Sequence, residues 1–242
     1  MNSNVYMFDV DGTLTPARKP MMQAHFKIFE KFVKNNIVYL VTGSDIKKTK
    51  EQVPKAILDN CKGIFASSGN ELWKGEEKIY ENLYIPSKKL IEDLELALRE
   101  TPYTTKTGLH TEHRPGMINF SIVGRNATQD QRKDYHKWDS RTKERKLLAV
   151  KLMSRHPEID IKIGGEISID IYPKGLDKSQ AVSYVRQEDE LKNPIVFFGD
   201  RTDKQGNDYA VVQALGDLDT VHQIDNYGDT FKLLENYMES DS

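Results

Sequence analysis

The sequence is poor in features that would take a chain away from ordinary aqueous, reducing surroundings. Cys61 is its only cysteine, so no internal disulfide can form and a reducing cytosolic setting is expected. No apolar run approaches the roughly 20 residues that a membrane helix needs. The first residues show no basic segment followed by a long apolar core, so no signal peptide is expected. An excess of one charge is also missing. The formal net charge is -2, which makes no electrostatic case for nucleic acid or an acidic membrane as partner. Repeats and low-complexity segments are absent. What remains is an ordinary balance, 38% hydrophobic and 30% charged, over 242 residues. That length suits one large domain or two modest ones.

Strand and helix signals alternate in the first part. Val5–Phe8 is an apolar run that reads as a buried strand. Met22, Phe26, Phe29 and Val33 recur at helical spacing. Ile37–Val41 predicts a second buried strand. Asp45 can cap a helix carrying Ile46, Thr49 and Val53, which Pro54 kinks or ends. Gly63–Ala66 predicts a third strand, and Glu71–Lys74 with 78–80 flank Gly75 as a hairpin. Strands spaced by helices predict a mostly parallel sheet. The middle has another texture. A helix over 87–99 carries Leu90, Leu94 and Leu98. Ile118-Asn119-Phe120-Ser121-Ile122 and Glu166-Ile167-Ser168-Ile169-Asp170-Ile171 alternate strictly. That period predicts an antiparallel sheet with one face on a core and one open to polar contacts. A charged, helix-like stretch spans 129–155 between them. The end returns to the first texture, with a helix over 177–186, strands over 195–198 and 220–224, and a last helix carrying Phe231, Leu234 and Met238. The expected organisation is an α/β core, 1–83 and 174–242, interrupted by an α+β segment, 84–173, with candidate hinges near Tyr84 and Pro173.

Asp9-Val10-Asp11-Gly12-Thr13 follows the first strand. Two carboxylates two residues apart at a strand end can project into one crevice, and ligands bind at the carboxyl ends of strands in open α/β sheets. Carboxylates suit Mg²⁺ and are competent nucleophiles toward phosphorus. An Asp-Gly pair also closes hairpins. The apolar strand before it and Thr13-Leu14-Thr15 after it favour chemistry. Thr42-Gly43-Ser44-Asp45 ends the second strand. Its hydroxyls and N–H groups, just before a helix N-terminus, suit a phosphate or simply cap the helix. Lys178 is either a solvated charge or an ammonium placed as a point charge beside phosphate. Phe197-Phe198-Gly199-Asp200 ends another buried strand, and Gly206-Asn207-Asp208 follows. A carboxylate there could complete a Mg²⁺ site with Asp9 and Asp11.

Phe8-Asp9-Val10-Asp11-Gly12-Thr13-Leu14-Thr15 resembles the first motif of the haloacid-dehalogenase-like phosphotransferases. Arg114-Pro115-Gly116-Met117-Ile118-Asn119-Phe120-Ser121, Gly124-Arg125 and Arg132 resemble the cap of eukaryotic-type phosphomannomutases. So does Gly164-Gly165-Glu166-Ile167-Ser168-Ile169-Asp170-Ile171-Tyr172-Pro173-Lys174-Gly175-Leu176-Asp177-Lys178. Phe198-Gly199-Asp200-Arg201-Thr202 with Gly206-Asn207-Asp208 matches the same family's late motif. The resemblance implies a haloacid-dehalogenase-like, Rossmann-like parallel-sheet core with an inserted α+β cap containing an antiparallel sheet. It implies interconversion of mannose 6-phosphate and mannose 1-phosphate through an aspartyl-phosphate and a hexose bisphosphate. Mg²⁺ and hexose 1,6-bisphosphate as activator come with it. A sugar-phosphate phosphatase on the same scaffold is the alternative.

The implied roles are specific. Asp9 is the nucleophile and Asp11 the acid/base. Thr42 or Ser44, with Lys178, serves the phosphate. Asp9, Asp11 and Asp200, with Asp208, hold Mg²⁺. Arg18 contacts substrate from the core, and Arg114, Arg125 and Arg132 bind the distal phosphate and sugar. Ser168 and Asp170 hydrogen-bond sugar hydroxyls, and the cap forms a homodimer. Guanidinium forks suit phosphate oxygens, although surface solvation is the usual fate of arginine. Three places depart from the family pattern: Gln205-Gly206 replaces a Gly pair, Arg201 replaces Lys, and Ser67-Ser68-Gly69-Asn70 replaces an Asn-Gly turn.

Overall fold

Val5–Phe8, the first apolar run, is strand β1, and every residue in it is buried. A computed structural model describes it together with the rest of residues 4–189, 192–204 and 206–240. Gln205, one of the three departures, lies outside the described residues. After β1 come α1 (Gln23–Asn35), β2 (Ile37–Val41), α2 (Ile46–Gln52), α3 (Lys55–Leu58), β3 (Gly63–Ala66), β4 (Glu71–Lys74) and β5 (Glu77–Glu81). Next are α4 (Lys88–Glu100), β6 (Thr111–Arg114), β7 (Met117–Ser121), α5 (Gln129–Thr142), α6 (Glu144–Arg155), β8 (Ile159–Gly164) and β9 (Ser168–Pro173). The chain ends through α7 (Ser179–Glu188), β10 (Ile195–Gly199), α8 (Tyr209–Ala214), β11 (Thr220–Gln223) and α9 (Tyr227–Ser240).

One sheet has the order β11-β10-β1-β2-β3-β4-β5. Its strands from β11 to β3 run parallel, and β4 and β5 add an antiparallel edge. The period of two in β1 explains its wholly apolar sequence. Tyr6 and Phe8 pack with Phe29 and Phe32 of α1 and Phe231 of α9. Val5 and Met7 pack on the other face with Val182 and Val185 of α7 and Val211 of α8. Both faces are covered, so neither can carry polar residues. Asp45 caps α2 by accepting the Lys48 N–H at 2.7 Å. Val53 is already extended, as expected of a residue before proline.

A second sheet, β6-β7-β9-β8, is antiparallel throughout. Ile118, Phe120, Ile169 and Ile171 pack with Leu90 and Leu94 of α4 and Leu148 and Leu152 of α6. The opposite register positions are polar, but Asn119, Ser121 and Ser168 are buried there rather than open to water. β9 begins at Ser168, because Gly165 turns the chain at φ +48° just before. The charged stretch 129–155 is two helices rather than one. Lys143 takes a left-handed conformation, φ 59°, and Asp139 accepts the Arg145 N–H at 2.9 Å to satisfy the new helix start. The chain divides into two compact units, Met1–Glu81 with Gly175–Ser242, and Asn82–Lys174. Among the described residues, no helix is long and apolar enough to cross a membrane.

Candidate active site

Strand β1 lies between β2 and β10. The chain builds outward from β1 through β2 and β3, then returns to its other side with β10 and β11. That reversal is a topological switch point, the place at which open α/β sheets bind their ligands. Asp9 directly follows β1, and Asp200 directly follows β10. The Asp9 N–H donates to the Phe198 carbonyl at 2.9 Å, so the start of one loop is pinned to the other strand.

Lys178 enters this place from the residue just before α7 and is 1% exposed. Its ammonium donates to Asp9 Oδ1 at 2.6 Å and to Asp208 Oδ1 at 2.7 Å. Asp208 is further fixed by the Arg201 N–H on Oδ2 at 3.1 Å, and the Thr13 hydroxyl donates to Asp9 Oδ2 at 3.4 Å. Carboxylate oxygens of Asp9, Asp200 and Asp208 lie within 4.8 Å of one another. Gly12 makes this possible: it sits at φ +89°, and a Cβ there would be 2.4 Å from Asp200 Oδ2.

The electrostatics follow from burial. Burial pushes the Asp9 carboxyl well above the usual carboxylate range; Lys178 opposes this, and Asp208 and Asp200 reinforce it. Burial and Asp208 push Asp200 up to about 6. Burial pulls Lys178 down, but Asp208 and Asp9 more than offset it and hold the ammonium charged. Lys178 is bonded to two of the three carboxylates, those of Asp9 and Asp208, so the acidic groups here outnumber the cation bonded to them. A group of hard oxygen donors whose ionised forms repel one another fits a small divalent cation such as Mg²⁺.

Asp11 stands apart from that group. Its Oδ1 accepts from the Arg18 N–H at 2.6 Å and the Gln52 amide at 2.7 Å, and its Oδ2 accepts from the Ser44 hydroxyl at 3.2 Å. Thr42 is fully buried, and its Oγ1 accepts the Ser44 N–H at 3.1 Å. Of the two hydroxyls, that of Ser44 is the one turned to Asp11. Arg18 is exposed at φ 60°, and its backbone rather than its guanidinium meets Asp11.

The remaining sequence candidates gather in the second unit. Arg114 and Arg125 both place Nη2 on Glu112 Oε2, at 2.7 and 3.0 Å, and Arg132 Nε lies 3.7 Å from Glu166 Oε2. Asn119 Nδ2 donates to Asp170 Oδ1 at 2.6 Å. Burial raises the Asp170 carboxyl, against the Asn119 bond, Arg114 and Arg125. The Ser168 carbonyl receives Arg145 Nη1 at 3.1 Å. Sequence reasoning missed Glu112, Asn119 and Gln52 as parts of these clusters. The signal for the first two was strand alternation: Glu112 is two residues before Arg114, and Asn119 is two before Ser121.

The family model for eukaryotic phosphomannomutase matches residues 25–240. A phosphomannomutase of Spinacia oleracea is 35% identical over 215 residues, covering 86% of this chain and 85% of its own. A phosphomannomutase of Saccharomyces cerevisiae is 33% identical over 244 residues, covering 94% and 91%. Among solved structures, a haloacid dehalogenase-like hydrolase from Bacteroides thetaiotaomicron superposes with a TM-score of 0.61 at 12% identity, covering 97% of this chain and 99% of that one. At that identity the likeness speaks for the fold alone, and the fold is haloacid-dehalogenase-like. The chain belongs to the eukaryotic phosphomannomutase family, whose members are isomerase-class enzymes that move a phosphoryl group.

Proposed function

We propose that the protein is a phosphomannomutase, interconverting mannose 6-phosphate and mannose 1-phosphate through a phosphorylated Asp9 and a hexose bisphosphate. The observation that carries this reading is the 2.6 Å bond from Lys178 to a buried Asp9 at the switch point. It leaves a desolvated carboxylate oriented by a fixed ammonium, an arrangement suited to attack on phosphorus. Phosphorylated Asp9 gives its phosphoryl group to the free hydroxyl of the sugar monophosphate: Asp11 takes the hydroxyl proton as that oxygen displaces Asp9 from phosphorus, which leaves a hexose bisphosphate. In the return step an Asp9 oxygen forms the bond to the other phosphorus as its P–O bond to the sugar breaks, and Asp11 gives the proton back to the departing sugar oxygen. Hexose 1,6-bisphosphate would act as activator by loading Asp9.

Ser44, turned toward Asp11, suits a phosphate oxygen, and Lys178 neutralises charge there. Asp9, Asp200 and Asp208 would hold Mg²⁺, which supplies further neutralisation of phosphate charge. Asp11, with its carboxylate held by Arg18, Gln52 and Ser44, would join them at the metal. Arg114, Arg125 and Arg132 would take the phosphate that is not reacting, Ser168 and Asp170 the sugar hydroxyls, and Arg18, with its exposed guanidinium, would reach substrate from the core.

The test is covalent. Protein loaded with isotopically labelled hexose bisphosphate should carry a hydroxylamine-labile label on the peptide containing Asp9. Asp9→Asn should lose both the label and at least about three decades of turnover. A label elsewhere, or near-normal turnover in the variant, overturns the assignment.

A further inference from the structure

In the Asn82–Lys174 unit, the buried side-chain atoms left without a hydrogen-bond partner among the described residues are Asn119 Oδ1 and Arg114 Nε. Asn119 is 2% exposed. It stands on β7 directly opposite Glu112 on one side and Asp170 on the other, so the three form one row across β6, β7 and β9. Its Nδ2 is committed to Asp170 Oδ1 at 2.6 Å. The amide cannot turn over without setting its oxygen against a carboxylate, so Oδ1 remains as an acceptor with nothing to accept from. A buried amide acceptor left unmatched is costly, and such atoms in folded proteins point to a missing ligand or water.

The surroundings state what that ligand offers. Asp170 beside it is an acceptor when ionised, and Ser168 lies two residues along β9. Arg114 and Arg125 stand over Glu112 in the same row and favour an oxyanion. The matching molecule has hydroxyl donors a short distance from a phosphate. We propose that Asn119 is a substrate-binding residue whose Oδ1 accepts a hydrogen bond from one ring hydroxyl of the sugar phosphate. This rests on the reading of the arginine cluster as a sugar-phosphate site. It adds a specificity determinant to that site: an acceptor at a fixed register position favours the sugar whose hydroxyl reaches it and disfavours an epimer whose hydroxyl does not.

The competing role is structural, with Asn119 serving only to orient Asp170 through Nδ2. Calorimetric titration of mannose 1-phosphate and its monodeoxy analogues into the wild-type protein and Asn119→Ala separates the two. The variant should bind the parent about tenfold more weakly. For one monodeoxy analogue the wild type should show that same loss, and the variant should lose nothing further. Inorganic phosphate should bind both proteins alike. A loss of the same factor for the parent and every analogue means positioning or an ordered water only, and overturns the proposal while leaving the sugar-phosphate reading intact. No binding of any sugar phosphate by the wild-type protein overturns both. If Asn119→Ala melts before the titration temperature, Asn119→Ser, which retains a donor toward Asp170, is subject to the same criterion.

Discussion

Lys178 and Glu112 hold the same office in clusters of opposite sign. Each is a single charge shared by two partners: Lys178 by Asp9 and Asp208, Glu112 by Arg114 and Arg125. If the two guanidinium groups take the distal phosphate as proposed, Glu112, which both now hold, competes with that phosphate for them. Glu112→Gln should therefore lower stability by about 1 kcal/mol, since the pairs are half-exposed and screened. It should tighten inorganic phosphate binding by about three- to tenfold, because the arginines are no longer neutralised in the free protein. Thermal melts and calorimetry read the two effects, and weaker phosphate binding in the variant would contradict the placement of phosphate on this pair. Asp9 and Asp200 were legible because each directly follows a buried strand beside a glycine, and Asp208 because it closes the Gly206-Asn207-Asp208 turn just before α8. Glu112 was not, because a glutamate in a short charged strand looks like a solvated residue until the register sets it opposite Asn119. The family resemblance is what makes Asp11 a metal ligand beside Asp9 and Asp200. The direction its side chain takes depends on Arg18, Ser44 and Gln52, which come from two other segments of the chain.

At the scale of elements, the break between α5 and α6 decides where Arg132 and Arg145 stand. Lys143 makes the break in a left-handed conformation that costs a side-chain-bearing residue about 1 kcal/mol, and it is exposed. Lys143→Gly should raise stability by up to about 1 kcal/mol, or a few degrees in Tm, without changing kinetics. A lowered Tm would mean that the lysine side chain does something else there. The sequence shows no glycine at this point, and the helical periodicity of 129–155 runs through it, so the break was invisible. The doubly covered strands β1, β2, β3 and β10 were readable within a residue, since an apolar run buried on both faces has sharp ends. β6 was missed because Thr111–Arg114 is wholly polar or charged, whereas β8 was overlooked although Ile159, Ile161 and Ile163 alternate with Asp160 and Lys162 at the period of a half-buried strand. Short α3 and α8 carry no periodicity long enough to register.

At the scale of the whole molecule, a carboxylate-rich site and an arginine-rich site lie in separate units of one chain, while the net charge is only -2. On the proposed function, a sugar bisphosphate offers one phosphorus to Asp9 and its second phosphate to the guanidinium groups. The Asn82–Lys174 unit also exposes Leu147 and Val150, 64% and 58% accessible and one helical turn apart on α6. We propose that this face takes part in a homodimer, and sedimentation at micromolar concentration should give twice the chain mass. A monomer mass would refute it. The central claim is that phosphate returns to sugar rather than passing to water, and phosphorus NMR reads this directly. With mannose 1-phosphate, Mg²⁺ and a trace of hexose 1,6-bisphosphate, the signal of mannose 6-phosphate should grow at the expense of the starting ester. Release of inorganic phosphate alone, or an unchanged spectrum, would contradict the account.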